Sequence, residues 1–111
     1  MATALAGTTV EAFALPGHTA GSAAYLIDGV LFVGDAAASI SETALAPNDF
    51  AFTMDVALNQ RSLRTLAARL KARAGDVRHI AFGHQGPVKG LDPLLNWASE
   101  SGATSNGNVA R

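Results

Sequence analysis

Leu15–Ala37 reads LPGHTAGSAAYLIDGVLFVGDAA, and further on His79–Val88 reads HIAFGHQGPV. The first stretch places His18 in a turn beside Gly17, between two apolar runs. It then places Asp35 directly after a third run, LFVG. The second stretch places His84 directly after a fourth, IAFG. Three potential metal ligands thus each stand where a strand gives way to a loop. Sites are commonly built there, because the strand fixes the ligand and the loop leaves room for a substrate.

Working outward, Val10–Leu15 reads as a strand and Pro16–Ser22 as a turn opened by Pro16 and Gly17. Ala23–Ile27 and Val30–Val33 are short strands around Asp28–Gly29, a type I′ hairpin signal. Ala36–Phe52 has no clear period and is expected to be a substrate-side loop, with Phe50 and Phe52 facing the substrate or docking on the core. From Asp55 to Ala74 the spacing of Leu63, Leu66, Ala67 and Leu70 predicts an amphipathic helix, capped by Thr53 or Asp55 and stopped by Gly75. His79–Phe82 is a strand and Gly83–Gly90 a loop. Asp92–Ser99 is a short helix with Asp92 as N-cap and Pro93 in its first position. Residues 1–9 are expected to be frayed, 10–99 to form the domain, and 100–111 to be a disordered tail.

With 111 residues the chain is one domain at most. A net charge of −1 with 15% charged residues gives no basic footprint for nucleic acid or a membrane surface. Arg61, Arg64, Arg69, Arg73 and Arg78 read as a solvated face rather than an anion site. There is no cysteine, so disulfides, thiolate metal ligands and redox thiols are excluded. The N-terminus lacks the pattern of a secretory signal and no run has the length of a membrane span, so a cytoplasmic location is expected.

PGHTAGS at Pro16–Ser22, Gly34–Asp35 after a strand, an amphipathic helix, and GHQGPV at Gly83–Val88 occur in an order that resembles the C-terminal half of the metallo-β-lactamase-fold hydrolases. The resemblance runs from about Val10 to about Ala98. It implies an α/β fold, half of an αβ/βα four-layer sandwich. It also implies that His18 is a ligand to a first metal, Asp35 a carboxylate bridging two metals, and His84 a ligand to the second, with Thr19 and Ser22 supporting the His18 loop. Each has a plainer reading: a polar turn residue for His18, a turn cap for Asp35, a loop histidine bonded to backbone for His84. An aspartate at position 35 points to glyoxalase-II-like or lactonase-like dinuclear enzymes, and the lack of cysteine excludes β-lactamases with a cysteine ligand. Gln85 stands where glycine is more usual and Ala20 where proline is common. His79 reads as an ordinary exposed histidine. Trp97 and Leu94 read as packing residues.

The resemblance also implies absences. The family's dinuclear site uses five His and two Asp, and most of them come from an HxHxDH loop in the N-terminal half. This chain has three His, at 18, 79 and 84, and no HxH pair. The expected function is therefore hydrolysis of an ester, thioester or lactone by a metal-activated water. Two zinc ions, or iron or manganese, would serve in the complete fold, with a small-molecule substrate. No residue of this chain is assigned a catalytic role, and the chain alone is expected to be inactive, as a truncated reading frame or a natural half-domain. The alternatives are a non-catalytic half-domain that oligomerises or binds a partner, and a small single-metal protein. A half-fold sheet is apolar on both faces. If roughly 500 Å² stayed bare, the cost at about 25 cal/mol/Å² would be about 12 kcal/mol, which rivals the stability of a whole domain. Self-association, or pairing with an N-terminal half, is therefore expected.

Overall fold

The structure, a computed structural model, describes residues 2–5, 7–48 and 53–106. Phe50 and Phe52 lie outside the described residues. The strands are β1 (Ala2–Leu5), β2 (Thr8–Ala14), β3 (Ala23–Ile27), β4 (Val30–Gly34), β5 (Ala37–Ser41), β6 (Ala44–Pro47), β7 (His79–Phe82) and β8 (Val88–Lys89). The helices are α1 (Val56–Leu70), continued by a 3₁₀ stretch at Lys71–Asp76, and α2 (Asp92–Asn106).

Six strands form one sheet in the order β1-β2-β3-β4-β7-β8, and β5-β6 forms a second, two-stranded one. All neighbours in the larger sheet are antiparallel except β4 and β7. The β4-to-β7 connection is therefore a crossover, and it carries the β5-β6 hairpin and α1. The pairing makes β2, β4 and β7 run in one direction, so the loops after all three leave the same end of the sheet.

Strand alternation decides the faces. Ala24 and Leu26 of β3 and Leu31 and Val33 of β4 point inward. They meet Leu63, Leu66, Ala67 and Leu70, the predicted stripe of α1, together with Ile80 and Leu94. On the other face Tyr25 and Phe32 are cross-strand partners and stay 44% and 43% exposed. Both faces of this sheet are thus apolar, as the runs YLI and LFV predict. The β3-β4 turn has positive φ at Asp28 (48°) and Gly29 (80°), which is the type I′ signature.

Several expectations need correction. Residues 2–5 form an edge strand paired to β2 with Leu5 opposite Thr8, so most of the segment expected to fray is held by ladder hydrogen bonds that need no large side chain. Ala36–Phe52 is not all loop: Ala37–Ser41 and Ala44–Pro47 pair as a hairpin. Its strands are mostly alanine and serine and lack the β-branched run that marks a strand, and buried Ala37 and Leu45 anchor it. The helix α2 continues past Ser99 to Asn106, so residues 100–106 are helical rather than a loose tail. Gly, Thr, Ser and Asn there are weak helix formers, and the helix is propagated from its buried first turns. The Leu95 amide bonds the Leu91 carbonyl at 3.1 Å, so Leu91 caps α2 and Asp92 is its first residue. Asp55 caps α1, accepting from the Leu58 amide at 2.9 Å.

The arginines are more engaged than a solvated face requires. Arg73 grips both carboxylate oxygens of Glu11 and also bonds Asp76. Glu11 shares the inner face of β2 with Phe13, and the Arg73 hydrogen bond holds its carboxyl below the usual range. Arg64 lies over Trp97 and Arg69 over Phe13. Among the described residues no helix is long and apolar enough to cross a membrane.

Candidate metal centre

The turn after β2 is riveted to the start of α1. Gly17 has φ +139°, and a Cβ there would lie 2.2 Å from the Asn59 backbone, so only glycine fits. The Asp55 amide donates to the Gly17 carbonyl at 2.8 Å and the Met54 amide to the His18 carbonyl at 3.1 Å. Ser62 Oγ donates to the Pro16 carbonyl at 2.7 Å. Thr19 and Ser22 bond each other, with their hydroxyls 2.7 Å apart and the Thr19 amide on Ser22 Oγ at 3.1 Å. They therefore brace the loop rather than the ring. The His18 ring meets Thr53 instead, with Nδ1 3.0 Å from Oγ1.

Asp35 and His84 emerge from the parallel pair β4 and β7. The Gly83 amide donates to the Gly34 carbonyl at 2.8 Å and carries the pairing up to the site. A Cβ on Gly83 would lie 2.1 Å from Asp35 Oδ1, so glycine lets the carboxylate stand against the next loop. His84 Nδ1 is 3.1 Å from Asp35 Oδ1. The His84 side chain is 81% exposed and Asp35 39%, so this pair opens to solvent. Gln85, at φ +68°, is held by a long contact of 3.4 Å from Ser39 Oγ. The fully buried Asn59 donates from Nδ2 to the Ala36 carbonyl at 2.9 Å, just behind Asp35. The Asn48 amide donates to the same carbonyl, also at 2.9 Å.

Of the three predicted ligands, the structure brings Asp35 and His84 into contact. It places His18 at the same end of the sheet, two strands away from Asp35. Among the described residues no group of three or more His, Asp or Glu side chains is gathered to hold one ion. Two imidazoles and a carboxylate suit zinc, iron or manganese in kind. In number they fall short of the donors a dinuclear centre would need. His79 is exposed at the start of β7 and takes no part. The sequence does not mark Thr53, Asn48, Asn59 or Ser62 as supports of the site. A signal for two of them exists, because Asn59 and Ser62 continue the buried α1 stripe toward its N-terminus, at four residues before Leu63 and Leu66. Polar residues on such a stripe need buried partners.

No family model matches the chain, and no curated protein matches it. Solved structures do. An archaeal metallo-β-lactamase superfamily protein from Sulfolobus tokodaii superposes with TM-score 0.64 at 19% identity, over 90% of this chain and 36% of that one. A metallo-β-lactamase family protein from Thermus thermophilus gives 0.62 at 28% identity, over 96% of this chain and 33% of that one. A metallo-β-lactamase from Pontibacter korlensis gives 0.61 at 17% identity, over 89% and 45%. The chain is a partial metallo-β-lactamase-fold domain, and it spans less than half the length of each of these structures.

Proposed function

We propose that this chain supplies part of the metal centre of a cytoplasmic hydrolase that cleaves an ester, thioester or lactone. The observation that carries the reading is directional: β2, β4 and β7 deliver His18, Asp35 and His84 to one end of one sheet. Bound metal, two zinc ions or iron or manganese in the complete fold, would polarise the substrate carbonyl and furnish a hydroxide near neutral pH. The residues of this chain would hold it. Asp35 has two oxygens with which to serve neighbouring ions. His84 turns Nδ1 toward Asp35, and its Nε2 would be the donor to an ion. The glycines at 17 and 83 let both loops close on their neighbours.

The missing donors would come from an N-terminal half carrying HxHxDH, docked on the face that bears Tyr25 and Phe32. Alone, the chain should show no substantial hydrolysis. The test is to co-express it with an N-terminal half that carries HxHxDH and measure zinc content and turnover of an ester, a thioester and a lactone. Activity should appear only in the pair and vanish in Asp35→Ala. A pair that binds zinc equally well with His18, Asp35 and His84 all replaced by alanine would sink the reading. The second reading, a non-catalytic half-domain that assembles through its bare sheet face, is favoured by the gathering of only two of the three ligands. It predicts assembly unchanged by a chelator.

A further inference from the structure

We infer that Thr53 is a positioning residue that fixes the tautomer of His18. The Thr53 hydroxyl donates to the Asn48 carbonyl. With its proton committed there, Oγ1 can only accept from His18 Nδ1, 3.0 Å away. Nδ1 therefore carries the ring hydrogen, and Nε2 keeps its lone pair. This is the reverse of the tautomer a free histidine side chain prefers in water.

The relay continues past Thr53. The Asn48 amide donates to the Ala36 carbonyl, which also receives Asn59 Nδ2. Two sets of hydrogen bonds, joined through the backbone of Asn48, thus tie the His18 ring to the residue after Asp35. The loops after β2 and β4 are set relative to one another through Asn48 and Thr53. An imidazole whose Nδ1–H is anchored presents Nε2 as a donor to a metal, and such anchoring partners commonly change metal affinity by about 10–100-fold. The tautomer stands on the geometry alone, and its use in metal binding rests on the function proposed above.

The test is long-range proton–nitrogen NMR of the histidine rings in the metal-free protein at alkaline pH. Wild type, Thr53→Val and Thr53→Ser would be compared, with the exposed His79 as internal reference. His18 should carry its hydrogen on Nδ1 in wild type and in Thr53→Ser. It should revert toward the Nε2–H form of His79 in Thr53→Val. A wild-type His18 protonated on Nε2, or a Thr53→Val spectrum like wild type, would overturn the inference. If Thr53→Val fails to fold, the wild-type and Thr53→Ser spectra still decide. Zinc titration of the complemented protein separates the two proposals. If Thr53→Val shifts the tautomer but leaves zinc affinity unchanged, the tautomer assignment stands and the metal role of His18 falls.

Discussion

The same methyl group added at Gly17 and at Gly83 should have opposite consequences. At Gly17 the new Cβ meets Asn59 Cα and N at 2.2 Å. Those are backbone atoms of the first turn of α1 and cannot swing aside. The φ of +139° is also closed to an L-residue. Backbone strain of about 1–3 kcal/mol and overpacking of about 1–3 kcal/mol together predict a loss of about 2–6 kcal/mol for Gly17→Ala. At Gly83 the obstacle is Asp35 Oδ1 at 2.1 Å, the end of a side chain that can rotate, and Gly83 is not in the left-handed region. An off-rotamer aspartate costs about 0.5–1.5 kcal/mol, so Gly83→Ala should fold while Asp35 leaves His84.

Urea unfolding followed by the fluorescence of Trp97, the one tryptophan, measures both variants. All samples need equal concentration, since association would shift the midpoints. Zinc titration of the complemented protein then reads the site. Gly17→Ala should lose the folded baseline or most of the stability. Gly83→Ala should keep the baseline and lose zinc affinity. If Gly17→Ala stays within about 1 kcal/mol of wild type, the His18 turn does not seat on α1 as described. If Gly83→Ala is as destabilising as Gly17→Ala, Asp35 is not the mobile obstacle.

Asn59→Ala should cost about 0.5–1.5 kcal/mol in urea unfolding, because it removes one buried hydrogen bond to the Ala36 carbonyl, which keeps the Asn48 amide. Tyr25→Thr with Phe32→Thr should raise the monomer fraction in analytical ultracentrifugation and make the urea midpoint less dependent on protein concentration, since both side chains lie on the exposed sheet face. Glu11 has its folded pKa depressed by Arg73, so its contribution is present above the ordinary glutamate range and fades as pH falls through the folded value. The partly exposed pair should be worth less than about 1 kcal/mol, and Glu11→Gln should remove that acid-side component from a stability–pH profile.

What could be read from sequence was what local spacing carries. The Asp28–Gly29 turn, the stripe from Leu63 to Leu70, and the Gly-Asp and Gly-His strand ends all reappear in place. The β5-β6 hairpin did not show, because Ala37 and Leu45 are its only buried hydrophobic anchors and its other residues suit loop and strand alike. The supports of the site were hidden for a different reason. His18 meets Thr53 across 35 positions, Asn59 meets Ala36 across 23, and Ser62 meets Pro16 across 46. No periodicity links such partners; only the crossover that lays α1 against the strand ends brings them together.

That crossover also bears on how many ions the chain serves. Adjacent strands lie about 4.8 Å apart, so β2 and β4, with β3 between them, are separated by about 10 Å. His84 leaves from the strand beyond β4 and leans onto Asp35. The sheet order is therefore His18, then Asp35, then His84, with the carboxylate between the two imidazoles. A single ion held by all three would need the outer two to converge, and the described residues show no such gathering. Two ions that share only Asp35 would not need it. Under the function proposed above, this order suits a centre in which the chain would lend one imidazole to each of two ions. Replacing His18 should then weaken one zinc equivalent and leave the other, whereas replacing Asp35 should weaken both. Loss of both equivalents in His18→Ala would contradict the order read from the sheet.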